Sequence, residues 1–239
     1  MNRTDQRRLP DCLGLSDPSH PRPAPTPPSA ELRTPLTRPA SLGLLTLLLL
    51  AAPVQASQLP SQNLKQMIQA ADVIVSGEVN KLSDGIENGL PFTQVTVKVQ
   101  GSIKRELAVN SDFTFRQYGL LKTRKLADGR YMLATKIEGM PTWTVGEKIT
   151  SFMNKPGARS GFSTPVGLAQ GKFTASGAQM ANSFNNRDLF KGMTVDPSAL
   201  NTHEAAMLAS KGGAVEGGVL TNFVKRAVKE QWIEKGVMR

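Results

Sequence analysis

An acid–base site in this chain would have to be built on His203, because His20 is the only other histidine and Cys12 the only cysteine. Ser-His-Asp and Cys-His chemistry both require an imidazole within hydrogen-bond reach of a nucleophile. His203 lies instead in Asn201-Thr202-His203-Glu204, where Asn201 and Glu204 have capping-box spacing that places the histidine in the first turn of a helix. No histidine pair, cysteine pair or dense carboxylate cluster has metal-ligand spacing, so neither a metal nor a cofactor is expected. Gly167-Leu168-Ala169-Gln170-Gly171-Lys172-Phe173 has the outline of a phosphate loop. It is one residue short between its glycines and carries Phe173 where a Ser or Thr would hold Mg²⁺. Lys172 is therefore assigned to the solvent side of a closing strand. Gly212-Gly213 and Gly217-Gly218 follow no strand and read as helix-ending and hinge glycines.

The positive signal is a basic stripe. Between Arg116 and Lys136 stand Arg116, Lys122, Arg124, Lys125, Arg130 and Lys136, with Asp128 as the only carboxylate. Tyr118 and Tyr131 are interleaved and Trp143 follows. On a hairpin, Lys122 and Arg124 share a face, so these charges are expected to project together. Arg116, Lys122, Arg124, Lys125, Arg130 and Tyr131 are the candidate ligand-binding residues, and cations beside aromatics suit an anionic ligand. No catalytic residue is assigned. The enzyme alternative would rest on dispersed carboxylates such as Asp84 and Glu87 in the first hairpin loop, since paired-carboxyl chemistry needs two carboxyls across a cleft.

The elements that must carry these residues follow from periodicity. Leu64, Met67 and Ile68 share one face of a short helix over residues 61–70. In Asp72–Val79, Val73, Val75 and Val79 point one way, and Gly77 occupies the remaining inward position, where a glycine suits a bend or bulge. Gln94–Gln100 alternates three inward valines with four outward polar residues. Val109, Ser111, Phe113 and Phe115 form a third strand with Asp112, Thr114 and Arg116 outside. Leu120–Leu126 and Arg130–Ala134 flank Ala127-Asp128-Gly129, and the Asp-Gly pair supplies the positive φ of a tight hairpin. Glu147–Met153 adds a strand; Pro165–Leu168 and Gly171–Ala175 add a last pair. A helix followed by about five main strands with glycines at bends makes the fold mainly β, a small OB-type five-stranded barrel with a short preceding helix. Near residue 177 the period changes. Leu220, Phe223, Val224, Ala227 and Val228 then form the stripe of an amphipathic helix, either docked on the barrel or offered to a partner or a membrane surface.

Upstream of all this, residues 1–40 hold nine of the sixteen prolines and lack apolar periodicity, so they read as a disordered leader. The apolar run Leu42–Ala52 is about half of the ~20 residues a membrane span needs. With Arg33 and Arg38 before it and Val54-Gln55-Ala56 after it, it reads as a signal peptide within 41–56, cleaved between Ala56 and Ser57. The long leader suggests a true translation start near Leu32 or Leu36. Arg7-Arg8 lies too far upstream for a twin-arginine signal. The expected organisation is thus a barrel domain over 57–177 and a linker with a helical tail over 178–239. The protein is expected to be periplasmic or extracellular, without a membrane anchor after processing. Its net charge of +10 favours an anionic partner.

One resemblance adds to this reading. The order Ala71-Asp72-Val73-Ile74-Val75-Ser76-Gly77-Glu78-Val79, then Val95–Val99, then Val145-Gly146-Glu147-Lys148, then Val166-Gly167-Leu168-Ala169-Gln170-Gly171-Lys172-Phe173 resembles uncharacterised exported bacterial proteins. Their domain is similar to the OB-type barrel of netrin-like modules and tissue inhibitors of metalloproteinases. It covers roughly residues 60–176. The resemblance implies a barrel; the N-terminal zinc-chelating cysteine and the disulfides of such inhibitors have no counterpart after Cys12. The functional expectation is an exported non-catalytic binding or adaptor module for an anionic envelope component or a partner protein. Export argues against nucleic acid as the ligand. The alternatives are an extracytoplasmic enzyme with a dispersed carboxylate site and a protease-inhibitor-like or assembly factor.

Overall fold

The computed structural model describes residues 60–134 and 136–239, so the leader, the apolar run and the expected cleavage point lie outside the described residues. The first element is α1 (Leu64–Ala70). Asn63 caps it with a complete capping box: its side chain accepts from the Gln66 amide, and the Gln66 side chain accepts from the Asn63 amide. Leu64, Met67 and Ile68 are its buried face, as the spacing predicts. At the other end, the Lys104 ammonium donates to the carbonyls of Ile68 (2.7 Å) and Ala71 (2.6 Å). A cation there satisfies carbonyls that a helix C-terminus leaves without an intrahelical partner.

Two long strands follow, β1 (Val73–Glu87) and β2 (Leu90–Ile103), paired antiparallel along nearly their whole length. The register shifts at Ser76/Gly77 and again at Val79/Lys81. Gly77 is therefore a bulge glycine, as its position in the valine alternation suggests. A Cβ there would lie 2.1 Å from the Lys98 carbonyl oxygen. The remaining strands are β3 (Asp112–Tyr118), β4 (Arg124–Lys125), β5 (Tyr131–Met132), β6 (Lys148–Met153), β7 (Lys172–Ser176), β8 (Gln179–Asn182) and β9 (Val215–Glu216). Helices α2 (Thr202–Leu208) and α3 (Gly217–Lys229) close the chain. The fold is mainly β: one antiparallel seven-stranded sheet in the order β3-β2-β1-β6-β7-β8-β9, with β4 and β5 as a separate small hairpin.

The sheet is open, not a closed barrel, since its end strands β3 and β9 do not pair. The β3 edge is nevertheless met by the loop after β6: the Ser163 amide donates to the Arg116 carbonyl at 2.8 Å. That loop returns to β6 through a bridge between Met153 and Pro165. Two details of the strand reading are also corrected. Val109 lies outside β3 and is exposed, because the chain turns through Ala108–Ser111 to begin the strand at Asp112. Pro165–Leu168 is not a strand; residues 168–171 form a 3₁₀ turn entered through Gly167 in the left-handed region.

The sheet separates two apolar clusters. Val73, Val75, Val79, Val95, Val97, Val99, Phe115, Ile149 and Met153 pack with Trp143 on one face. Ile74, Phe152 and Phe173 point to the other, where they meet α1 and the stripe Leu220, Phe223, Val224 and Ala227 of α3. Pleat alternation makes this possible, because neighbours along one strand feed opposite layers. The α3 stripe is covered by the protein's own sheet and is not offered to a partner. The boundary expected near residue 177 falls in the turn between β7 and β8, which pair with each other. The residues beyond it supply β8, β9, α2 and α3.

Candidate functional site

The basic stripe occupies the end of β3 and the β4–β5 hairpin that follows. The turn forms as Asp128-Gly129 dictates: Gly129 has φ +84°, and the Leu126 amide donates to the Arg130 carbonyl at 2.7 Å. A two-residue ladder cannot hold itself in water. It is held by Asp84, which lies on β1 and not in a loop. The Asp84 carboxylate accepts from the backbone amides of Leu121 (2.9 Å) and Lys122 (3.2 Å) and from the Arg124 guanidinium, which also donates to the Asp84 carbonyl at 2.8 Å. Burial alone would raise the pKa of this carboxyl. The Arg124 hydrogen bond and the two amides outweigh it and hold Asp84 below the usual carboxylate range.

This geometry divides the six candidates into two groups. Arg116 donates to Glu87 at 2.5 Å and to Gln94 at 3.0 Å, and its guanidinium lies 4.4 Å over the Phe92 ring. Arg124 is committed to Asp84, and Arg130 to Asp128 at 2.6 Å. Lys122 and Lys125 are exposed, and no carboxylate pairs with them or with Lys136 among the described residues. The expectation that Lys122 and Arg124 project together is corrected: Arg124 turns inward, whereas Lys125 stands opposite Tyr131 on the outer face of the ladder. The field is also weaker than the sequence count implies, because β1 brings Asp84 and Glu87 against the stripe. Those two carboxylates each serve an arginine, and the pair offers no open carboxyls facing across a cleft.

What sequence reasoning missed is the aliphatic part of this surface, Leu121 and Leu133, which line the grooves with the two tyrosines it singled out. Tyr118, Leu121, Tyr131 and Leu133 are between 47% and 67% exposed. Tyr118 lines two adjoining shallow grooves of about 330 and 290 Å³; Leu121 and Lys136 line the first, Tyr131 and Leu133 the second. Leu121 and Leu133 fall in the two segments that flank Asp128-Gly129, where the charge pattern draws no attention to them. The signal that could have found them is the shortness of the ladder, which has no second layer to bury them. Trp143 lies at the floor of the first groove but is itself buried; its indole donates to Gln117 at 2.9 Å.

Two other candidates resolve differently. Lys172 is not a solvent-side residue. Its ammonium is buried against Glu147 (2.6 Å) and the Thr142 carbonyl (2.5 Å), 4.6 Å over the Trp143 ring. Burial pushes its proton affinity down, against the opposing effect of Glu147. His203 is exposed at the start of α2, whose capping box forms as expected. The buried Glu204 carboxylate beside it is taken by Arg226 at 2.7 and 2.9 Å. No group of His, Cys, Asp and Glu able to hold a metal ion occurs among the described residues.

No protein-family model, curated protein or solved structure matches the chain.

Proposed function

We propose that the protein is an exported, non-catalytic binding module that takes an anionic ligand on the hairpin between residues 118 and 137. The observation that carries this reading is the pairing pattern on the hairpin. Among the described residues, Lys122, Lys125 and Lys136 are left without carboxylate partners around exposed Tyr118 and Tyr131, while Asp84 and Arg124 fix the hairpin's base. Cations held on an anchored scaffold lose little freedom when a ligand arrives, which favours binding. Their number also favours an anion over a neutral ligand. The enzyme alternative loses its named carboxylates to Arg124 and Arg116.

The OB-type character and the export route belong to the same proposal. Support for the first comes from the one apolar cluster that β1, β2, β3 and β6 share and from the Ser163–Arg116 bond at the open edge. Support for export is the short apolar run and the Val-x-Ala exit in the sequence. No helix among the described residues is long and apolar enough to cross a membrane.

The test is retention on an immobilised anionic polymer, wild type against a K122S/K125S/K136S variant, at two salt concentrations. Retention of the wild type that falls with salt and is largely lost in the variant supports the reading. Equal retention of both proteins refutes it.

A further inference from the structure

The hairpin surface is not simply basic. Tyr131 on β5 and Leu133 just beyond its end are both exposed, and Lys125 stands directly opposite Tyr131. Leu121 and Tyr118 extend the same exposed apolar surface along the first groove, and Lys136 lines its rim. Leu90, the first residue of β2, is a fifth exposed large apolar residue at this end of the sheet: its neighbour Pro91 accepts from the Gly119 amide, and Phe92 is the register partner of Tyr118. A small soluble polyanion would use the lysines and leave these side chains wet. A surface that offers phosphate charge above hydrocarbon would use both.

We propose that the ligand of this face is an anionic lipid bilayer, with Leu121, Tyr131 and Leu133 entering the interface and Lys122, Lys125 and Lys136 lying among the phosphates. This rests on the anionic-ligand reading above and names its source. Tyrosine is suited to the headgroup level, with an apolar ring and a polar tip. Lysine stems can lie along apolar surface while their ammonium groups stay at the phosphates. The opposite end of the β2–β3 pair carries no such combination: exposed Val109 lies there, beside Lys98 paired with Asp112 and Arg105 paired with Asp72. Near an anionic surface each cation strengthens partitioning by about fivefold, so three together account for about a hundredfold.

The experiment places an environment-sensitive fluorophore at Leu133→Cys, in the full chain with Cys12→Ser. Vesicles are either phosphatidylcholine alone or phosphatidylcholine with phosphatidylglycerol. The expected result is a blue shift with the anionic vesicles and little with the neutral ones. The same fluorophore at Val109→Cys should not shift. Adding K122S/K125S/K136S to the Leu133→Cys protein should weaken the response by about a hundredfold. The leader is present in every variant and does not distinguish them. An unshifted Leu133 probe, equal shifts at both positions, or an undiminished response in the lysine variant would overturn the lipid inference. A Leu133 probe already blue-shifted without vesicles would overturn it too, by showing the face covered by the chain itself or by a second copy. If the anionic polymer still retains the protein in a salt-dependent, lysine-dependent way, the broader reading survives that failure. If it does not, both fail together.

Discussion

Asp84 and Arg124, forty residues apart in the chain, form the joint between the long β1–β2 ribbon and the small β4–β5 hairpin. The Asp84 carboxylate is nearly fully buried, while the guanidinium keeps about a third of its surface exposed. Because the same carboxylate also accepts from the Leu121 and Lys122 amides, it fixes both the backbone at the base of the hairpin and the direction of Arg124. The exposed apolar and basic side chains are held in place by this joint, so its removal should loosen the candidate face before it unfolds the sheet.

Asp84→Asn is the direct test of that hierarchy. It keeps the shape but removes the charge, leaving Arg124 without its partner. A stability loss of about 1.5–3 kcal/mol is expected, as for a lost charge-assisted hydrogen bond. Hydrogen exchange should quicken at the amides of Leu121, Lys122 and Leu126 and stay unchanged in β1, β2 and β6. Uniform quickening through the sheet would show that the joint supports the whole fold.

The pH dependence follows from the same carboxyl. Its proton affinity is lower folded than unfolded, so its contribution is fully present above the unfolded value of about 3.9 and is lost as pH falls through the depressed folded value. The stability difference between wild type and Asp84→Asn should therefore be flat from about pH 5 to 8 and shrink below about pH 4. Denaturant titrations of both proteins at several pH values measure it. A difference that grew toward acid would contradict the direction of the shift.

Gly77→Ala tests the bulge. Its Cβ would lie 2.1 Å from the Lys98 carbonyl oxygen and 2.9 Å from Val97 Cγ1. The first of these is backbone in the partner strand, so relief requires the β1–β2 register to shift. A loss of about 3 kcal/mol or more is expected, in the range of severe overpacking. Thermal melting against Gly101→Ala, where a Cβ meets nothing within 4 Å, provides the comparison.

How far the sequence could reach is visible in these residues. Valines 95, 97 and 99 alternate cleanly with polar residues because one face of β2 lies in a core there, whereas β1 buries Ile74 on the face opposite Val73 and Val75. Gly77 was legible because it interrupts the valine alternation of β1. The capping boxes at Asn63 and Asn201 were legible because they are local. The short strands β8 and β9 were not, since two to four residues carry no period and exist only because β7 presents an edge. The site was half legible. Charge could be counted along residues 116–136, but the neutralising Asp84 and Glu87 arrive from β1, and no spacing rule reports a partner some thirty to forty residues away. Lys172 was misplaced for the same reason: its partner Glu147 lies on the segment before β6, and the direct ion pair, with the Trp143 face beside the ammonium, makes burial tolerable.

That buried pair gives the last prediction. Lys172 and Glu147 are both nearly out of water, and the ammonium spends its remaining donors on the Thr142 carbonyl and the Trp143 face. Removing one member leaves the other charge stranded, which costs about 3–5 kcal/mol; removing both is often close to neutral. Lys172→Met should therefore destabilise strongly, and Glu147→Gln with Lys172→Met should recover most of the loss, because Gln can still accept from the Thr144 amide that Glu147 now serves. The sign with pH is the same as for Asp84, since each group binds its proton less tightly folded than unfolded, but the window lies in alkali. Burial lowers the proton affinity of Lys172 below its ordinary 10.5, so the unfolded chain binds more protons as pH approaches that value. Wild-type stability should rise through that window relative to the double variant, which has no ammonium to release. Denaturant unfolding of the three proteins at pH 7 and again just below 10.5 measures both effects. A double variant as unstable as Lys172→Met alone would show that the lysine's contacts to Thr142 and Trp143 matter more than its pairing with Glu147.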